Sequence, residues 1–141
     1  MARIEIDEGS GFCFGVKRAV EQVNEQLRLG KKVYTYGPII HNEEVVADFE
    51  KKGVSILRPE DEWETVEKGT IIIRSHGVTR AEQEKLTAVG FEVVDATCPF
   101  FKKIHRAVEE QSLAGRKIVI IGDEKHPEVM GIRGWAENET F

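Results

Sequence analysis

Two cysteines and three histidines have the type and placement to do chemistry in this chain. Cys13 lies in Gly-Ser-Gly-Phe-Cys-Phe-Gly-Val-Lys and Cys98 in Asp-Ala-Thr-Cys-Pro-Phe-Phe-Lys-Lys. Each falls between a strand-like run and a helix-like run, so each thiol is expected at a helix amino terminus, with Lys17 or Lys102 one turn further on. The positive end of the helix dipole and a nearby cation both favour the thiolate, the form that ligates metals or attacks electrophiles. Pro99 suits the first position of a helix, and a Cys-Pro step also occurs in iron–sulfur ligation. The competing reading is two buried packing residues, since free cysteine is among the most buried types. Gly9, Gly11 and Gly15 do not have the G-x-G-x-x-G spacing of a dinucleotide loop; they offer close backbone approach to a bulky inorganic group.

The histidines follow strand-like runs: His41 in Gly-Pro-Ile-Ile-His-Asn-Glu, His76 in Arg-Ser-His-Gly-Val, and His126 in Glu-Lys-His-Pro-Glu. In a parallel sheet the carboxyl ends of the strands form the ligand crevice, so these three should converge on one face with both cysteines. As donors or cations they suit a phosphate-bearing ligand, with Arg74, Ser75 and Lys125 beside them in sequence. Glu128, two residues after His126, is the candidate proton donor; its alternative role is to cap the short helix begun by Pro127. His105 stands mid-helix between Lys103 and Arg106 and reads as solvated, or as support for the site from behind. Trp63, Trp135, Phe91, Phe100 and Phe101 read as core.

These residues need a scaffold, and the pattern supplies an α/β one. Strands are expected at Ile4 to Ile6, Lys32 to Tyr36, Ser55 to Leu57, Thr70 to Arg74, Glu92 to Val94 and Lys117 to Ile121. Helices are expected at Gly15 to Leu29, Asn42 to Lys51, Thr79 to Val89, Phe100 to Leu113 and after Pro127. Alternation with short connections implies mainly parallel sheets flanked by helices.

An internal repeat organises the chain further. An offset of 85 residues lays Cys13 on Cys98, Lys17 on Lys102, Gly30 on Gly115, His41 on His126 and Glu43 on Glu128, among ten identities between positions 13 and 43. Unrelated sequences would give about two at average residue usage. The expected organisation is therefore an amino-terminal strand and glycine loop (1–12), a first α/β unit (13–97) and a partial second unit (98–141), with no third. A unit broken midway leaves a sheet edge open to self-association, and marks the chain as a piece of something longer.

Composition bounds the rest. The 141 residues carry 20 Lys+Arg against 25 Asp+Glu, a formal charge of −5, with both signs well mixed. That excludes a polybasic surface for nucleic acid or anionic membrane. The longest aliphatic run, Ile118 to Ile121, is far short of the roughly 20 residues a bilayer crossing needs. A cytoplasmic location is the expectation, and in that reducing compartment a structural disulfide is not expected.

Five segments together, Gly-Phe-Cys-Phe-Gly-Val-Lys-Arg-Ala-Val, Tyr-Gly-Pro-Ile-Ile-His-Asn, Ile-Arg-Ser-His-Gly-Val, Asp-Ala-Thr-Cys-Pro-Phe and His-Pro-Glu-Val, closely resemble the amino-terminal half of the LytB/IspH family of 4-hydroxy-3-methylbut-2-enyl diphosphate reductases. The resemblance runs over essentially the whole chain. It implies three quasi-equivalent α/β units around a 4Fe–4S cluster, with Cys13 and Cys98 as two of three cluster ligands. It further implies that His41, His76 and His126 hold the substrate diphosphate and that Glu128 relays protons to the leaving hydroxyl. The reaction implied is reductive dehydroxylation to isopentenyl and dimethylallyl diphosphate, in the non-mevalonate route of isoprenoid biosynthesis, with ferredoxin or flavodoxin as electron donor. The family's third cysteine and its carboxy-terminal Ser/Asn motif are not in this sequence, so the chain alone is expected to be inactive. Two rival readings are a metal-free phosphate-binding or self-associating α/β module, and a small zinc or redox-thiol protein using Cys13, Cys98 and two histidines.

Overall fold

The computed structural model describes residues 3–5, 7 and 9–141. Strands β1 (Val33–Tyr36), β2 (Ser55–Leu57), β3 (Thr70–Ile73) and β4 (Glu92–Asp95) form one sheet in the order β2-β1-β3-β4. Every neighbouring pair is parallel, with Val33 opposite Thr70 and Thr70 opposite Glu92. Helices α1 (Phe14–Arg28), α2 (Glu43–Lys51), α3 (Arg80–Ala88), α4 (Pro99–Leu113) and α5 (Pro127–Arg133) complete the described elements.

The β-branched and aromatic runs of β1 and β3 make central strands because both of their faces are covered. Val33 and Ile72 pack on one face with Ala19 and Val23 of α1 and Phe49 of α2. Tyr34, Tyr36, Ile71 and Ile73 pack on the other with Leu86 of α3, Trp63 and Phe91. The chain leaves β1 for β2 on one side and then crosses to β3 on the other. The gap between the carboxyl ends of β1 and β3 is thus the topological switch point, where such sheets take their ligands.

Local chemistry sets the helix starts. Asn42 Oδ1 accepts the Val45 N–H to cap α2, and Thr79 and Glu82 form a reciprocal capping box on α3. Cys13 and Cys98 occupy the N-cap positions of α1 and α4, and neither makes a side-chain capping hydrogen bond. Helices α1 and α4 have 15 residues each and coincide end to end under the 85-residue offset. Gly30 and Gly115 close them at φ of 69° and 76°, left-handed values that favour glycine.

Three expectations need correction. Ile4 and Glu5 form no strand, and Ile6 lies outside the described residues. Lys117 to Ile121 is not a strand either: it makes one isolated bridge, Ile118 to Thr140, and leaves Val119 69% and Ile121 98% exposed. A β-branched run becomes a strand only along a ladder of partners, and this one has a single rung among the described residues. Phe100 is not core but 68% exposed on the first turn of α4, whereas Trp63 and Phe91 are buried.

Candidate functional site

The two thiols come from separate helices whose starts are packed together. A Cβ placed on Gly15 would lie 2.7 Å from Cys98 Sγ, so the first turn of α1 and the N-cap of α4 meet with no room for a side chain. Arg18, one turn into α1, donates from its two terminal nitrogens to Thr97 O (3.2 Å) and Asp95 O (3.3 Å), clamping the segment that delivers Cys98. Cys13 is exposed and Cys98 half-buried. Lys102 does not serve the Cys98 thiol, as the sequence suggested, but pairs with Asp95 at 2.5 Å. Burial pushes the Asp95 carboxyl up, but hydrogen bonds from Lys102 and Thr97 outweigh it and hold it below its usual value.

The cysteine end runs directly into the histidines. The Cys98 N–H donates to Ser75 O at 2.9 Å, and Phe101 of α4 stands edge-on to the His76 ring with centroids 6.2 Å apart. His76, in the turn after β3, lies 4.7 Å from the His41 ring, which follows β1. Its Nε2 is 3.5 Å from Glu128 Oε1. His126 caps α5, its Nδ1 accepting the Glu128 N–H at 3.3 Å. His41, His76, His126 and Glu128 are thereby gathered at the switch point, with Cys98 one residue contact away. His41 and His126 are exposed and His76 and Glu128 half-buried, while Lys125 is exposed beside His126 and Glu43 exposed in the first turn of α2.

Burial lowers the His76 pKa, and the neighbouring charges of His41, Arg74 and His126 add to that against the opposing pull of Glu128. The ring is therefore neutral at pH 7, and its Nδ1 and the Ser75 hydroxyl are buried with no hydrogen-bond partner. Buried polar atoms without partners are uncommon, and here two neighbouring residues at the end of β3 carry one each. Arg74 Nε donates to Gly77 O at 3.3 Å, and its guanidinium lies against Gly37, adding a cation at the β1/β3 gap. A surface depression of about 620 Å³ lined by Arg80, Gln83, Thr87 and Trp135 lies away from this cluster and gathers no comparable set of groups.

Of the two sequence readings of His105, solvated or supporting the site from behind, burial excludes the first. The residue is 4% exposed, stacked on the Trp135 indole at 5.3 Å and 13°, and its Nε2 has no partner. Arg18 was missed altogether; its signal was an arginine one turn after the glycine of Cys-Phe-Gly-Val-Lys-Arg, next to the buried Ala19.

Among the described residues no three His, Cys, Asp or Glu side chains converge as a metal site. The two thiols nonetheless have the chemistry of metal ligands. They stand on adjoining helix starts, free of capping bonds, beside a glycine that keeps the approach open. No helix among the described residues is long and apolar enough to cross a membrane.

A parallel α/β sheet thus gathers Cys98, His41, His76 and Glu128 at its switch point. The model of the LytB protein family matches residues 4–141, and the chain belongs to that family. It is 49% identical over 141 residues to the 4-hydroxy-3-methylbut-2-enyl diphosphate reductase of Caldanaerobacter subterraneus subsp. tengcongensis, covering 98% of this chain and 49% of that protein. It is 45% identical to the reductase of the same name from a Thermoanaerobacter species, with 99% and 49% covered. Among solved structures, an (E)-4-hydroxy-3-methyl-but-2-enyl diphosphate reductase described as the terminal enzyme of the non-mevalonate pathway superposes with a TM-score of 0.79 at 44% identity, over 96% of this chain and 47% of that one. The Plasmodium falciparum E-1-hydroxy-2-methyl-but-2-enyl-4-diphosphate reductase gives 0.82 at 32% identity, over 92% and 40%. The chain spans about half the length of the relatives it matches.

Proposed function

We propose that this chain is the amino-terminal portion of a 4-hydroxy-3-methylbut-2-enyl diphosphate reductase, which removes the substrate hydroxyl reductively to give isopentenyl and dimethylallyl diphosphate. The observation that carries the reading is the unbroken line of contacts from Gly15 through Cys98 and Ser75 to His76, and from His76 to His41 and Glu128. Cys13 and Cys98 would be two of the three cysteine ligands of a 4Fe–4S cluster, the third being absent from these 141 residues. When bound, the cluster supplies electrons and a Lewis-acidic metal. His41, His76 and His126 anchor the diphosphate, with Arg74 as the nearby cation at the β1/β3 gap. Because His76 is neutral without ligand, anion binding raises its pKa and draws in a proton. Glu128, 3.5 Å from His76 Nε2, delivers one proton to the departing hydroxyl, which leaves as water when the C–O bond breaks, while two electrons from the donor and a second proton form the new C–H bond of the product.

The electron donor in this reading is ferredoxin or flavodoxin, the location cytoplasmic, and the residues 13–97 and 98–141 the first unit and part of the second. Val119, Ile121 and Phe141, exposed around the Ile118–Thr140 bridge, are the apolar patch through which the isolated chain would self-associate. Anaerobic co-expression with the carboxy-terminal half of a relative tests the proposal. The pair should gain iron–sulfur absorbance and consume the diphosphate, and Cys13→Ser or Cys98→Ser should abolish both. A colourless pair, or variants as active as the parent, refutes it, and turnover by the 141-residue chain alone refutes the expectation that it is inactive.

A further inference from the structure

The turn that carries His76 and the helix that carries Glu128 do not rest on each other alone. Gly77, the residue after His76, has a φ of 79°, and a Cβ placed there would come 2.6 Å from His105 Cε1 and 3.0 Å from Thr97 Cγ2. Gly131, three residues after Glu128 on α5, faces the same place: its Cβ would lie 3.8 Å from His76 O, 3.9 Å from Gly77 C and 3.9 Å from His105 Nε2. The imidazole of His105 therefore fills the corner between the His76 turn and α5. Its own helix, α4, begins at Cys98. The other face of the ring stacks on Trp135, whose Nε1 donates to Val78 O at 2.9 Å and so fastens the far end of the same turn.

Interiors are packed tightly enough that a ring in such a corner fixes the spacing of whatever rests on it. We infer that His105 is a positioning residue for the His76–Glu128 pair: its ring sets the separation of the two side chains and ties both to the helix that presents Cys98. This rests on the reading that His76 and Glu128 belong to the substrate site, but the spacing itself is a property of the chain without ligand. The choice of histidine over an aliphatic residue follows from the stack. A flat ring fits between the Trp135 indole and the glycine turn, and burial lowers its pKa against the pull of Asp95, so the neutral ring sits there uncharged. The charged groups around it, Asp95 and Lys102, are paired with each other rather than with it.

The test uses the full 141-residue chain with His105→Ala and His105→Phe. The first removes the ring; the second keeps a flat ring without its nitrogens. The first readout is the NMR signal of the His76 ring, recorded with and without Glu128→Gln in each background. In the parent, Glu128→Gln should shift the His76 ring nitrogens; in His105→Ala that response should be lost while the amide signals of Ile71 to Ile73 stay in place. His105→Phe should restore it. The second readout is inorganic pyrophosphate binding by calorimetry, expected to weaken at least about fivefold in His105→Ala, equivalent to about 1 kcal/mol. An undiminished Glu128 response in His105→Ala overturns the inference, as does its loss in a folded His105→Phe; if His105→Ala fails to fold, the Phe variant decides. Parent protein that shows the Glu128 response yet does not bind pyrophosphate speaks against the substrate reading and leaves the positioning role standing.

Discussion

Replacing Gly15 by alanine tests whether the two cysteine-bearing helix starts are held as closely as the structure shows. Gly15 is buried at the second position of α1, with helical backbone that alanine adopts freely. On propensity alone the substitution should stabilise by about 0.5–1 kcal/mol. Sterically it places a methyl group 2.7 Å from Cys98 Sγ and 3.0 Å from Cys98 Cβ. Unstrained heavy atoms sit about 3.5–4.0 Å apart, so the overlap is about 1 Å. The thiol can rotate away, but Cys98 Cβ cannot: the Cys98 N–H is bonded to Ser75 O, and Arg18 grips the two carbonyls of Asp95 and Thr97 just before it. Overpacking of this kind costs about 1–3 kcal/mol and exceeds the propensity gain. The expected net change is a loss of between 0 and about 2.5 kcal/mol.

Gly131→Ala is the internal control. It lies in α5, and its new Cβ would meet nothing closer than 3.8 Å, so the propensity term stands alone and the variant should gain up to about 1 kcal/mol. Urea titration at pH 7 followed by tryptophan fluorescence reads both, provided the slopes agree. Thiol titration supplies the second measurement, because a displaced α1 start changes the rate at which Cys98 reacts with a disulfide reagent. Gly15→Ala as stable as Gly131→Ala, with an unchanged Cys98 rate, would refute the close approach of the two helices.

Arg18→Ala should lose about 1–3 kcal/mol, since it strips a charged donor from two partly buried carbonyls, and should raise amide exchange at Cys98; Arg18→Lys should recover little, because a point cation does not span both acceptors. Thr79→Ala breaks the α3 capping box and should cost about 1 kcal/mol, read as a lower melting temperature. Burial holds the His76 and His105 imidazoles below the ordinary histidine value of 6.5, so the unfolded chain takes up protons first, and stability should fall as pH drops below 6.5 toward those lowered values. Asp95, with its pKa below 3.8, contributes its own loss only in a separate window below that value. Urea midpoints at pH 7 and pH 5 check this, and a midpoint that does not fall on acidification contradicts the buried neutral histidines.

Much of the scaffold is local in origin and so could be read from the chain. The β-branched runs at Thr70 and Val33, the Thr79 and Asn42 caps, and the glycines after each helix act within a few residues, and the 85-residue offset multiplies the signal by repeating it. The meeting of His41 and His76 follows from one further rule, that parallel strands deliver their following loops to the same edge, whereas Glu128 reaches them on α5, which no strand of this sheet directly precedes. What escaped was non-local. Lys102 is one turn from Cys98, yet Asp95 on β4 takes its charge, because a carboxylate offers a cation more than a thiol at that distance. Lys117 to Ile121 has the residues of a strand but not the neighbour, and no pattern within five residues can report a missing neighbour. His105 is instructive because half of its signal was present. Phe101, His105 and Ser112 recur at helical spacing on the half-buried and buried side of α4, which places the ring inside despite the charged residues on either side of it. The stack on Trp135 brings together residues 30 positions apart on separate elements, and only the folded corner between Gly77 and Gly131 shows why a flat ring is needed there.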